Sequence, residues 1–231
     1  EDSIPVLDEE NKIIGVITSQ DIVEVVDEEL GDDYAKLAGL TEEEDLNEPL
    51  IKSVRKRMPW LIVLLFLGMF VSSVVGMFEA VVMQVAIIVS FQSLILGMAG
   101  NVGTQSLAVA IRVLMDQQIG GKHLAGLVWK ETRVGLLNGV LLGMLSFAAI
   151  GGYLCLQGNG PAFAFAVSGC LGIAMVLAML ASSLSGTIIP IVFKKLGVDP
   201  AVASGPLITT VNDLVAVISY YGLAWLLLLR I

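Results

Sequence analysis

Residues 201–229 read AVASGPLITTVNDLVAVISYYGLAWLLLL, an apolar stretch with one carboxylate, Asp213, near its middle. Crossing a hydrocarbon core takes about 20 helical residues, and every backbone polar group must find its partner inside the protein. The stretch therefore predicts a transmembrane helix. An ionisable group at membrane depth is costly to hold and faces a bundle interior or a water-filled cavity, where it marks an ion or proton pathway. Pairing with an intramembrane Lys or Arg is the other reading of Asp213, and no span interior offers such a partner. The function class this implies is a transporter or channel for cations.

The rest of the chain has the same membrane character. Hydrophobic residues make up 56% and charged residues 15%, with a mean hydropathy of +0.85, values few soluble domains reach. The net charge of -9 is unevenly spread, since residues 1–58 hold 17 of the 22 acidic and 6 of the 13 basic side chains. Neither part is basic enough for nucleic acid. By length and by polar or Gly/Pro breaks, the body divides into five spans, at about 60–82, 85–115, 127–156, 162–193 and 201–229. The fold class is thus an all-α membrane protein in a lipid bilayer, with five transmembrane helices per subunit.

Basic residues set the topology. Lys52, Arg55, Lys56 and Arg57 precede the first span; Lys122 and Lys130, flanked by Arg112 and Arg133, lie between the second and third; Lys194 and Lys195 follow the fourth. The alternate connections, around Phe78-Glu79 and at 157–161, carry no base. Cationic loops stay inside, which predicts a multi-pass plasma-membrane protein with a cytoplasmic N-terminus and an external C-terminus. Small residues at four-residue spacing, Gly68, Ser72 and Gly76 in one span and Gly135, Gly139 and Gly143 in another, let helix backbones approach closely. Cys155 and Cys170 read as apolar fillers, and His123 as a solvated residue.

The head, residues 1–31, reads as a fragment of an α/β module. Ile4-Pro5-Val6-Leu7 and Lys12-Ile13-Ile14-Gly15-Val16-Ile17 are strand-like runs around the turn Asp8-Glu9-Glu10-Asn11. Thr18 and Asp21 form an acidic variant of the capping box ahead of a helix. A hairpin and one helix cannot bury a sufficient core alone. The chain opens on Glu1 with no basic-then-apolar leader, as expected of a piece of a longer protein. Residues 32–58 read as an acidic connector, with a helix starting at Thr41-Glu42-Glu43-Glu44, then a basic cluster and Pro59-Trp60 at the membrane interface. Gly15-Val16-Ile17-Thr18-Ser19-Gln20-Asp21 resembles the C-terminal half of a CBS domain. In that family the Thr and Asp often contact a nucleotide; half a domain lacks the rest of that pocket, and simple capping of the helix is the favoured reading here.

Two features exceed what packing requires. In Gly97-Met98-Ala99-Gly100-Asn101-Val102-Gly103-Thr104-Gln105, glycines and an asparagine interrupt the second span. Unwound backbone at membrane depth lines a cavity, and its freed carbonyls are good cation ligands; close packing at glycine is the other reading. In the fifth span, opened by Asp199-Pro200, Asp199 and Asp213 fall within about 40° of one helix face and about 21 Å apart along the axis, with Thr209 one turn before Asp213. That stripe leads from a cytoplasmic mouth to a mid-membrane site. For Asp199 a helix cap is the alternative role.

Gly100-Asn101-Val102-Gly103-Thr104-Gln105, Asp199-Pro200-Ala201-Val202-Ala203-Ser204-Gly205-Pro206 and Thr209-Thr210-Val211-Asn212-Asp213 together resemble the MgtE family of magnesium channels, as do Phe78-Glu79 and Lys130-Glu131. The likeness covers residues 59–231, and a CBS-like head before the pore domain fits it. It implies a homodimer with a pore between subunits lined by spans two and five, passing Mg2+ or another divalent cation. Asp213 becomes the selectivity carboxylate, aided by backbone oxygens near Gly100, Gly103 and Thr209. Asn101, Gln105, Asn212, Pro206 and Glu79 become pore-lining or structural positions. In the family the cytoplasmic domains bind Mg2+ and close the pore through a connecting helix, here residues 41–58. With only the end of that sensor present, weakened closure is expected.

A proton- or sodium-coupled secondary carrier of divalent cations is the nearest rival, because a mid-membrane aspartate also serves proton relays. An intramembrane aspartyl protease needs two carboxylates sharing a proton, and the sequence carries no second catalytic carboxylate motif. A receptor or scaffold leaves Asp213 and the glycine run unexplained.

Overall fold

The computed structural model describes residues 3–42, 46–115, 120–202 and 205–228. At the N-terminus, β1 (Ser3–Leu7) pairs antiparallel with β2 (Ile13–Thr18), Ser3 opposite Thr18 and Val6 opposite Gly15. The turn closes because Asp8 Oδ1 accepts from the N–H groups of Glu10 and Lys12 at 2.9 and 2.8 Å, while Asn11 takes the left-handed conformation at φ 61°. Helix α1 (Ser19–Leu37) starts at the expected box: Thr18 Oγ1 accepts from Asp21 N–H at 3.2 Å, and Asp21 Oδ2 accepts from Thr18 N–H at 2.7 Å. The apolar side chains of this unit, Ile4, Ile14, Val16 and Val23 among them, stay exposed.

Helix α1 runs through the boundary expected at residue 31 and stops where Gly39 turns left-handed at φ 84°. Leu40 N–H then donates to Ala35 O and Gly39 N–H to Lys36 O, both at 2.9 Å, a Schellman closure. The helix expected to begin at Thr41 is not there: Thr41 and Glu42 form a bend, and residues 43–45 lie outside the described residues. The connector's acids serve another purpose. Glu48 bonds Lys56 at 2.7 Å and Lys52 at 3.0 Å, with Glu42 3.9 Å from Lys56.

Five helices are long and apolar enough to cross a membrane among the described residues: α2 (Leu50–Gly76), α4 (Ile87–Leu114), α5 (Gly121–Leu156), α6 (Pro161–Lys195) and α7 (Gly205–Leu228). Short α3 (Glu79–Gln84) links the first two. Helix α2 starts well before Trp60 because Pro59 removes only one hydrogen bond, while residues 50–58 carry good helix formers. The basic cluster is thus part of the helix itself.

Helices α4 and α6 form the middle of the bundle. Helix α5 packs on α6, α7 lies against both α4 and α6, and α2 touches α7 from outside. The core gathers Ile88, Ile95, Leu171, Met175, Met179 and Tyr220. Only Lys56 is buried on α2, most of whose apolar side chains are exposed. The row on α5 packs as expected: a Cβ on Gly135, Gly139 or Gly143 would come within 3 Å of Ser183 Cβ, Val176 Cα or Gly172 O, respectively. The row on α2 does not, since Gly68 and Gly76 have nothing within 4 Å. Cys170 sits in the core and Cys155 packs against it, whereas His123 is exposed on the first turn of α5.

Candidate functional site

The glycine run does not unwind its helix. Helix α4 is continuous from Ile87 to Leu114, and the expected break with freed carbonyls is replaced by close packing. A Cβ on Gly103 would overlap the Asn212 amide of α7, and one on Gly186 of α6 would overlap Gly103 O. A Cβ on Gly100 would lie 3.1 Å from Thr209 Cγ2. Hydrocarbon offers no partner to an open peptide group, so the backbone stays helical and the missing side chains become contact surface. The Gly100 carbonyl takes an additional bond from Thr104 Oγ1 at 3.0 Å.

These contacts also fix where Asp213 stands. Gly100 faces Thr209, and a Cβ on Gly205 would lie 3.8 Å from Thr104 Cγ2, so α4 and α7 run antiparallel and step four residues at a time. The next step brings Asp213 level with Leu96 and Gly97. Farther along, Tyr221 Oη donates to Gln92 Oε1 at 2.6 Å and Tyr220 Oη to Ile88 O at 2.8 Å. Nothing lies within 4 Å of the Cβ position of Gly97, which leaves the turn of α4 at that level open. Asp213 is half-buried, and among the described residues it has no hydrogen-bond or ion-pair partner. Its neighbour Asn212 is fully buried, accepting from Ser185 Oγ on α6 at 2.5 Å, while Asn212 Nδ2 has no partner among the described residues.

Of the residues singled out from sequence, Gly100, Gly103, Thr209 and Asn212 meet at this helix pair. Asn101 and Gln105 are exposed on α4. Pro206 lies at the start of α7, 3.4 Å from the Cβ position of Gly39, which also abuts the Trp60 ring. Glu79 is remote: it is exposed beyond Phe78, which stacks on Tyr221 with ring centroids 5.8 Å apart, about 12 Å along α7 from Asp213.

Asp199 is also elsewhere. A 3-10 turn, Pro200–Val202, precedes α7, which begins at Gly205, so Asp199 and Asp213 do not share one continuous helix and the expected stripe is lost. Asp199 caps the turn, accepting from Ala201 N–H at 2.9 Å, and pairs with Lys36 Nζ at 2.8 Å. Burial alone would raise its carboxyl; the bonds from Lys36 and Ala201 and the Lys36 charge outweigh it and hold Asp199 below the usual range. Asp33 is raised, first by burial and then by the Asp199 charge. The last turns of α1 therefore reach the entrance of α7, where Arg57 of α2 lines the same cavity as Gly39 and Pro206.

Sequence reasoning did not place one further group. Glu131 of α5, 5% exposed, meets Ser106 of α4 and Ser183 of α6. The signal was available: Glu131 extends the row Gly135, Gly139, Gly143 by one step, and all four are buried. Among the described residues, no group of three or more His, Cys, Asp or Glu side chains gathers into a metal cluster.

A family model described as a divalent cation transporter, MgtE, matches residues 92–223, from the first turns of α4 through most of α7. The chain belongs to the MgtE family. A CBS-domain model matches residues 1–28, the hairpin and the first half of α1. Curated MgtE relatives carry the name magnesium transporter. The one from Enterococcus faecalis is 41% identical over 96% of this chain and 47% of its own length. Those from Bacillus subtilis and Thermus thermophilus are 38% and 32% identical, over 96% and 97% of this chain and 48% of their own lengths. The chain spans about half the length of these MgtE relatives.

Proposed function

We propose that this chain transports magnesium across the plasma membrane through a channel between two subunits, lined by α4 and α7, with Asp213 from each as the selecting carboxylate. The observation that carries this reading is the unpaired, half-buried Asp213 in the first half of α7. A carboxylate at such depth without a basic partner costs several kcal/mol, and a passing cation with its water shell offsets that cost. One carboxylate holds a divalent ion poorly; a two-fold axis supplies a second. Magnesium gives up water reluctantly, so two carboxylates contacting a largely hydrated ion suit it. The names of the MgtE relatives support magnesium as cargo.

In the proposed orientation the N-terminus lies in the cytoplasm. Lys194 at the end of α6 donates to Leu114 O at the end of α4, which supports a shared side for these ends and for the basic residues beside them. The α1 terminus at the mouth of α7 is then the element through which cytoplasmic magnesium closes the pore.

The test is flux into proteoliposomes for the parent, Asp213→Ala and Asp213→Glu, in magnesium, manganese, cobalt, nickel and calcium salts. Asp213→Ala is expected to lose most magnesium flux and Asp213→Glu to keep part of it. Equal magnesium flux in parent and Asp213→Ala removes the assignment. Discrete single-channel current steps distinguish a channel from an ion-coupled carrier, which turns over too slowly to show them.

A further inference from the structure

Glu131, Ser106 and Ser183 are 5%, 2% and 0% exposed and come from three different spans. Ser106 Oγ donates to Glu131 Oε2 at 3.0 Å, the two serine hydroxyls are 2.9 Å apart, and Ser183 Oγ donates to the Glu131 carbonyl at 2.7 Å. Thr187 Oγ1 donates to Ser183 O at 2.8 Å, extending the polar contact along α6. Glu131 has no ion-pair partner among the described residues. A buried acid without a cation adds little to stability compared with an apolar replacement, and the best-attested return on such a group is a fixed register.

The register in question bears on Asp213. Ser106 stands one turn beyond Gly103 on α4, and Ser183 one turn before Gly186 on α6. Gly103 and Gly186 are themselves in backbone contact. The polar cluster and the glycine pair therefore form one continuous α4/α6 seam. The other side of Gly103 presses on Asn212, the residue before Asp213, and Asn212 is tied back to α6 through Ser185. Sliding α4 along α6 carries Gly103 away from Asn212 and changes the level at which α4 meets Asp213.

We infer that Glu131 is a positioning residue, whose carboxylate holds Ser106 of α4 beside Ser183 of α6, itself held on the Glu131 main-chain carbonyl, and so sets the height of α4 against α6 and thereby the α4/α7 register at Asp213; Glu131→Ala removes only the carboxylate bond, and the effect on transport rests on the role proposed above for Asp213.

The register is read directly by disulfide formation between Thr104→Cys and Gly205→Cys in the full chain, with Cys155 and Cys170 replaced by Ala. A Cβ on Gly205 lies 3.8 Å from Thr104 Cγ2 across α4 and α7, near the side-chain separations that disulfides span. Glu131→Ala is expected to slow cross-linking by about 2- to 30-fold, the span of coupling effects seen along such networks, and Glu131→Gln, which keeps the reach and the hydrogen bonds, to restore it. Without the cysteine pair, Glu131→Ala should raise the magnesium concentration for half-maximal flux, and Glu131→Gln should return it toward the parent value. The double variant Ser106→Ala with Ser183→Ala gives the same readings should Glu131→Ala fail to fold. Parent-like cross-linking in the folded Glu131→Ala or double-serine variant overturns the inference. Slower cross-linking with unchanged magnesium dependence upholds the positioning and counts instead against Asp213 as the filter.

Discussion

If the α4 glycines are contact surfaces rather than breaks, alanine substitutions should separate by what faces each site. Gly186→Ala is the sharpest case, because its new methyl group would enter the space of Gly103 O, with Gly103 C at 3.1 Å and Leu107 N at 3.2 Å. These are backbone atoms of a regular helix and cannot swing aside. Gly97→Ala, by contrast, meets nothing within 4 Å. Both substitutions gain about 1 kcal/mol of intrinsic helix preference. At Gly97 that gain stands alone. At Gly186 it is set against overpacking of about 1–3 kcal/mol, and the immovable partner puts the cost at the upper end, so the net change is a loss of about 1–2 kcal/mol. For a chain of this size the melting temperature shifts by about 2–4 °C per kcal/mol. Thermal unfolding in one detergent should therefore place Gly186→Ala about 2–8 °C below the parent and Gly97→Ala at or slightly above it. Equal melting of the two variants would refute the packing argument. A large loss confined to Gly97→Ala would point back to an irregular α4.

The Lys36–Asp199 pair is partly exposed, with side chains 28% and 39% accessible, so after solvent screening it contributes no more than about 1 kcal/mol. Asp199 is held below its ordinary value and Lys36 above its own, so the contribution is fully present above about pH 4 and below about pH 10. It is lost as pH falls through the folded Asp199 value or rises through the folded Lys36 value. Melting of the parent minus that of Asp199→Asn should accordingly stay flat between about pH 5 and about pH 9, inside the interval between the ordinary carboxylate and ammonium values, and shrink in high salt. Thr18→Ala removes the α1 cap and should cost that helix about 1 kcal/mol, seen as faster amide exchange over residues 19–24 with exchange in α4 and α6 unchanged.

Local chemistry made much of the fold legible. The turn at Asp8–Asn11, the Thr18–Asp21 box and the five apolar runs depend on neighbours close in sequence or on composition. The α5 glycine row was legible because a four-residue period defines one helix face. What escaped was decided by distant partners or by competition between local options. Lys36 and Asp199 are 163 positions apart, so neither residue alone signals a pair. The start of the first span was set near Trp60 by where the apolar run begins, yet the basic residues before it are helical enough to continue through Pro59 in one helix. The acids after Thr41 suited a helix N-terminus, but Thr41 and Glu42 form a bend, with Glu42 beside Lys56 of α2. For the glycine run, unwinding and close packing produce the same residue pattern, and only the opposing surfaces of Asn212 and Gly186 distinguish them.

That distinction changes which ligands the proposed pore can offer. An unwound α4 would present bare carbonyls able to replace much of an ion's water. In the regular helix the Gly100 carbonyl receives Thr104 Oγ1, and Gly103 O is pressed against Gly186. Thr209 Oγ1 is likewise turned back onto Gly205 O at 2.9 Å. Among the described residues the Asp213 carboxylate is left without a partner, and under the proposed two-fold arrangement there are two. A filter of this kind strips little water. It therefore discriminates by charge and by the size of the hydrated ion, which favours a small divalent cation that keeps its shell. Selection by direct carbonyl coordination would instead favour ions that dehydrate readily. The two cases separate in Asp213→Glu, which moves each carboxylate inward by one methylene. With water-mediated contact the narrower opening should reduce magnesium flux more than calcium flux, because calcium sheds water more easily. With carbonyl coordination, the ratio of the two fluxes should stay at the parent value, and that result would return the ligand role to the α4 backbone.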